Sequence, residues 1–154
     1  MKSRIVFLIL CFLSIVHYSC NAQPNNTNPN LAIATKAISE ANRLYFQAFV
    51  KSDSSLFINS YAKDCWIMTS TPTLCGPNAA DDFYKMVYHD KGVRNGKLTI
   101  NELYGNGDQF ITEEGFYQFV DKDNLVLENG TFLMVWEKTN AGWVILRSSF
   151  HNHN

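Results

Sequence analysis

Residues Asn124–His151 read NLVLENGTFLMVWEKTNAGWVILRSSFH, two β-rich runs on either side of the turn tripeptide Asn140-Ala141-Gly142. In the second run Val144, Leu146, Ser148 and Phe150 alternate with Ile145, Arg147, Ser149 and His151, the period of a strand with two unlike faces. The first run departs from that period. Phe132, Leu133, Met134, Val135 and Trp136 are apolar in unbroken succession, which predicts a strand covered on both sides. One side is expected to lie on helices, and the other to meet a second subunit.

Two more β-rich segments precede this pair, Leu98–Tyr104 and Phe110–Val120, set off by Gly105-Asn106-Gly107-Asp108 and Asp121-Lys122-Asp123. Everything after Lys97 therefore reads as sheet. The N-terminal half changes period. Leu31, Ala34, Ile38, Ala41, Leu44, Tyr45, Ala48 and Phe49 recur at three- and four-residue steps, predicting one amphipathic helix from Leu31 to Val50. Ser52 or Asp53 can cap a shorter helix through Tyr61. Cys65–Thr71 is β-rich and ends in the turn signal Thr71-Pro72-Thr73, and Pro77–Asp90 carries helical spacing again. Helices first and strands later, with no internal repeat, predict one α+β domain.

The chain has 154 residues, 46% hydrophobic, 18% charged and 14% aromatic, the composition of a folded globule. Its formal charge of −1 comes without long blocks of either sign, so a nucleic-acid partner is disfavoured. Lys2 and Arg4 precede an apolar run, Ile5–Val16, followed by Ser19, Cys20 and Ala22. This predicts a secretory signal over residues 1–22, whose twelve-residue apolar run is too short to span a bilayer as a permanent helix of roughly 20 residues. Processing is either cleavage after Ala22 or lipid attachment at Cys20, leaving residues 23–30 as a disordered tether and 31–154 as the domain. The mature chain is then periplasmic or secreted, and touches a membrane only through a lipid anchor. Cys65 and Cys75 remain, either bridged or as two buried thiols.

Several pieces, in order, carry a family resemblance: Ala48-Phe49-Val50-Lys51-Ser52-Asp53; Tyr61-Ala62-Lys63-Asp64-Cys65-Trp66-Ile67-Met68; Gly76; Gly107-Asp108 with Gly115 and Tyr117 behind it; and Gly130–Lys138 answered by Gly142–Arg147. Over roughly residues 33–152 the chain resembles the SnoaL-like and nuclear-transport-factor-2-like (NTF2-like) superfamily, and within it the bacterial group of domain of unknown function 4440. The resemblance implies a cone-shaped fold, N-terminal helices packed on a curved antiparallel sheet enclosing a pocket, and a homodimer through the sheet. Tyr45 matches the position of a proton-donating tyrosine in the steroid-isomerase relatives. Thr69 stands where those relatives carry a carboxylate base, and Ser148 where the group often has an acidic residue. A threonine does not titrate near neutrality, so it cannot take a proton from carbon.

The expected ligand contacts are Tyr45, Thr69, Tyr117, Trp136 and Ser148. Glu113 and Glu114 are adjacent on a strand and so face opposite sides; a solvated strand face accounts for them, with Glu114 the candidate to point into the cavity. His151 is an acid/base candidate because its ordinary pKa lies near neutrality. His151 and His153 have spacing for a metal but nothing to complete the set, so neither a metal nor a cofactor is expected. The leading expectation is an exported protein that binds a small apolar or cyclic organic ligand without an evident catalytic base. One alternative is an isomerase, cyclase or dehydratase with Tyr45 as donor and His151 or Glu114 as base. Another is a protein-association module acting through the sheet.

Overall fold

The computed structural model describes residues 28–70 and 72–153. The expected signal, the lipid-attachment cysteine and tether residues 23–27 lie outside the described residues, as does Thr71 in the expected turn. Helix α1 (Pro29–Tyr45) begins two residues earlier than the apolar spacing implies. Asn28 is the reason: its side chain accepts the Asn30 N–H, and Pro29 suits a first helical turn. The tether therefore cannot run to Asn30. The helix is interrupted at Phe46, whose N–H returns to the Leu44 carbonyl, and resumes as α2 (Gln47–Lys51). Ser52, at φ 55°, ends it in the left-handed region. Asp53 then caps α3 (Ser54–Ile58), accepting from the Ser55 N–H at 3.0 Å and the Ser55 hydroxyl at 2.6 Å. That helix stops before Tyr61, which opens β1.

Strands β1 (Tyr61–Met68) and β2 (Thr73–Cys75) precede α4 (Ala79–Lys85), whose end widens into a π-helical turn at Met86–Asp90. Then follow β3 (Asn95–Gly105), β4 (Phe110–Val120), β5 (Val126–Thr139) and β6 (Gly142–Asn152). One curved sheet results, in the order β2-β1-β6-β5-β4-β3, with the helices on one face. All neighbours are antiparallel except β1 and β6, which run parallel. The chain thus inserts an early strand beside its last one, a pairing no local pattern announces.

Register corrects the reading of the apolar run. In β5, Gly130, Phe132, Met134 and Trp136 are buried against the helices, whereas Leu133 is 43% exposed on the outer face. The outer face is therefore not covered within one chain. Trp66 pairs with Cys75, so buried Cys65 and exposed Cys75 are offset by one residue, and both are free thiols. The two-buried-thiols expectation holds for Cys65 only.

Helix α1 is pinned over β3 and β4 by the turn between them. Asn28 Nδ2 donates to the Asn106 carbonyl and Asn30 Nδ2 to Asp108 Oδ1, each at 2.8 Å. Gly107, at φ 81°, passes so close beneath that a Cβ would sit 2.3 Å from the Asn30 carbonyl carbon. Any larger residue would lift the helix from the sheet.

Candidate binding site

The register places five inner-face residues in one row across the sheet: Ile67, Ser148, Met134, Glu113 and Leu103, from β1 to β3. Helix α1 lies over this row and turns Ile38, Asn42 and Tyr45 inward. Two polar side chains in the row, Ser148 and Glu113, are fully buried. A buried polar group ordinarily has a partner; Glu113 has two, whereas the Ser148 hydroxyl has no hydrogen bond.

On the β1–β6 side, the Tyr45 and Tyr61 hydroxyls are 2.9 Å apart, with Ser148 beside Tyr61. Burial first, and the neighbouring Tyr61 second, hold the Tyr45 phenol well above its ordinary range. Tyr45 is therefore a neutral hydroxyl in the core. From it a chain of rings runs through Phe57, Phe83 and Phe150, with centroid separations of 4.9, 5.9 and 5.5 Å. Burying each such ring contributes about 1.5–3 kcal/mol. Thr69 stands beyond the end of β1, its hydroxyl donating to the Pro72 carbonyl at 2.7 Å. It borders a cavity of only about 60 Å³ with Phe83 and Phe150. The rings thus fill the space between Tyr45 and Thr69, and the structure does not bring the two together around an opening. Glu128 also borders this small cavity, taking the Tyr117 hydroxyl at 2.6 Å and the Lys91 ammonium at 2.5 Å. Burial and this carboxylate raise the Tyr117 phenol above its usual range.

On the β4 side the chemistry differs. Glu113 Oε1 accepts from Asn42 Nδ2 at 2.5 Å, and Oε2 from the Trp136 indole N–H at 2.6 Å. Burial pushes the Glu113 carboxyl up from its ordinary value, while the two N–H bonds pull it down. Trp136 is thus a buried donor to a carboxylate and not an exposed ring platform. Asn42 is 7% exposed, and its Oδ1 has no partner.

Asn42 also lines a cleft of about 500 Å³ between α1 and β3. Ser39, Arg43 and Gln47 form its helix wall; Gly96, Lys97 and Leu98 form its strand wall. Gly96 is required there, because a Cβ would come within 2.6 Å of the Phe46 ring and 2.4 Å of the Gln118 carbonyl. Arg43 is already held by Glu40 through two bonds, of 2.8 and 2.6 Å.

Of the two adjacent glutamates it is Glu113, not Glu114, that points inward. Glu114 lies on the outer face, accepts from Asn101 Nδ2 at 2.8 Å, and shares a groove of about 340 Å³ with His151, Phe116 and Leu133. The candidate base positions Glu114 and His151 are thus on the opposite side of the sheet from Tyr45. Glu113 and Asn42 are the residues the sequence reading missed. A signal existed for Glu113: it shares strand phase with Ile111, Tyr117 and Phe119, all of which are buried. Among the described residues, no group of three or more His, Cys, Asp or Glu side chains is placed to hold a metal ion. No described helix is long and apolar enough to cross a membrane.

No family model and no curated protein matches the chain. Solved structures do. An NTF-2 like protein of unknown function from Shewanella oneidensis MR-1 is 21% identical over 75% of this chain and 96% of its own, with a TM-score of 0.62. An NTF2-like superfamily protein from Salmonella enterica serovar Typhimurium LT2 is 18% identical, over 79% and 92%, at TM-score 0.63. A ketosteroid isomerase-like protein from Erwinia carotovora atroseptica SCRI1043 is 19% identical, over 77% and 95%, at 0.62. The described fold is therefore the NTF2-like cone. That fold hosts many unrelated chemistries, so function has to come from the site.

Proposed function

We propose that this chain is a small-molecule-binding protein whose ligand occupies the cleft between α1 and β3. The observation that carries the reading is the cleft itself, an opening of about 500 Å³ with the Asn42 side chain on its wall. Mixed walls, with Phe46 and Leu98 apolar and Gln47 and Lys97 polar, fit a small organic molecule. Binding is favoured over proton transfer because neither Tyr45 nor Glu113 lines the cleft; the Glu113 oxygens are taken up by Asn42 and Trp136. Membership of the group of domain of unknown function 4440, and export with residues 1–22 as signal, belong to the same proposal. The test is a fragment screen read by ¹⁵N-¹H NMR. Hits that shift Gly96, Lys97 and the Asn42 side-chain amide support the cleft; a screen whose hits all map to the outer face rejects it.

Association of two copies through the outer face of the sheet is a second reading with its own observation. Phe116 is 51% exposed, Leu133 43% and Trp66 48% on that face, and Phe116 and Leu133 border one groove. Light scattering should give twice the chain mass for the wild type and the single mass for Phe116→Asp. A monomeric wild type rejects this reading.

A further inference from the structure

The sheet ends at β3, and among the described residues no strand lies beyond it. Consecutive residues of that edge strand, from Asn95 to Ile100, form the strand wall of the cleft. In an antiparallel ladder every second residue spends its N–H and C=O on the neighbouring strand, and the residues between point theirs the other way. Two observations fix this phase in β3. The Thr99 carbonyl faces β4, where it is the first atom a Cβ on Gly115 would strike. The Gly96 N–H is not spent on β4 but donates at 2.8 Å to Oδ1 of its neighbour Asn95. Gly96, Leu98 and Ile100 therefore share the outward phase, which ends at the register shift after Ile100. Gly96 consists of main chain alone and is only half-buried, so solvent reaches the edge backbone itself. An open edge of this kind is a template for one more strand.

We propose that the α1–β3 cleft takes a short extended peptide carrying an acidic residue, which adds to the sheet beside β3 and turns alternate apolar side chains toward α1. This names the ligand class of the cleft and rests on the cleft being the binding site. Charge selects the occupant. The lining holds two cations, Arg43 and Lys97, and no carboxylate. Arg43 is held by Glu40, whereas Lys97 is exposed and takes part in no ion pair among the described residues. A carboxylate opposite Lys97 in the added strand completes a cross-strand ion pair, and a cation placed there is repelled. The residues on either side of that carboxylate point to the inner face, where Phe46 and Leu98 supply an apolar wall. A second copy of β3 is the poorer occupant, because its stretch Asn95–Ile100 brings another lysine and no acid.

The probe is acetyl-Thr-Val-Glu-Val-Thr amide, titrated into the ¹⁵N-labelled wild-type protein and followed at the Leu98 and Ile100 amides. Three relatives of it are titrated beside it: one N-methylated on the first valine, one N-methylated on the glutamate, and one with lysine in place of the glutamate. With the glutamate opposite Lys97, the valine N–H faces β3 and the glutamate N–H faces solvent. The expected result is a saturable shift at both amides, at least tenfold weaker binding of the valine-methylated peptide, and binding of the glutamate-methylated peptide within threefold of the parent. The wild type should prefer the glutamate peptide to the lysine peptide, and Lys97→Glu should reverse that order.

Equal losses for the two methylated peptides would overturn strand addition and leave the cleft standing. An order of the glutamate and lysine peptides that Lys97→Glu does not change would overturn the acidic residue. No shift at β3 with the parent peptide, while fragments from the screen still move Gly96 and Lys97, would overturn the peptide class alone; if the fragments do not move them either, the cleft reading falls with it. Shifts at Leu98 and Ile100 that grow with protein concentration in the absence of peptide would give the edge to a second copy and overturn the proposal.

Discussion

Along β6 and β1 the inner face of the sheet meets rings; at Glu113, midway along β4, it meets the amide of Asn42. In the first region the chain Tyr45, Phe57, Phe83 and Phe150 leaves about 60 Å³ beside Thr69. In the second, where Asn42 and Glu113 face each other, a cleft of about 500 Å³ opens between α1 and β3. Rings fill space because dispersion and burial improve with every contact, and they tolerate many angles. Polar groups in the interior fix distances and directions, which limits how the helix can settle on the edge strand.

The largest effect is expected in the ring region. Phe57→Ala should cost about 3–5 kcal/mol in urea unfolding, as for other buried aromatic truncations, while fragment affinity at the cleft changes less than twofold. A matching loss of affinity would show that the two regions are one. Next comes Trp136→Phe, which strips Glu113 Oε2 of its donor. It is expected to cost about 2 kcal/mol, since hydrogen bonds to charged groups contribute roughly 1.5–3.

Acidity sharpens the contrast further. Burial raises the folded-state pKa of Glu113 above its unfolded value near 4.5. Between those two values the native state holds more protons than the unfolded one, so this group's effect on stability is least unfavourable below 4.5 and grows more unfavourable as pH rises through the folded value. Glu113→Gln should remove that fall, giving a flatter stability profile than the wild type across the same window in urea midpoints. An unchanged profile would mean the carboxyl is not penalised by burial. The smallest effect is expected at Tyr45→Phe, which leaves the Tyr61 hydroxyl without its 2.9 Å partner, about 1 kcal/mol.

The elements of the fold were legible because their signals are local. Alternation in Val144–His151, the three- and four-residue steps after Leu31 and the capping Asp53 each report a periodicity or a hydrogen bond within a few residues. The parallel pairing of β1 with β6 was not legible, since Ile67 and Ser148 meet from opposite ends of the chain. The apolar run Phe132–Trp136 misled because composition reports what could be buried, whereas register decides that Leu133 is not. Tyr45, Tyr117, Trp136 and Ser148 were singled out and are all in the interior; Tyr45 bonds Tyr61, Tyr117 bonds Glu128 and Trp136 bonds Glu113, and none of these partners is local in sequence. Asn42 gave no local signal: an asparagine on a helical stripe looks like a surface residue until Glu113 is placed 71 residues away in sequence and 2.5 Å away in space.

The most direct measurement is an NMR titration of the ¹⁵N-labelled wild-type protein with the tightest-binding fragment of the screen, comparing the Asn42 side-chain amide and the Gly96 and Lys97 backbone signals with those of Thr69 and Ser70. The expected result is a saturable shift at Asn42, Gly96 and Lys97, with Thr69 and Ser70 unmoved behind the rings. Shifts at Thr69 and Ser70 with the cleft unmoved would contradict it, and would place the ligand where Phe83 and Phe150 now stand.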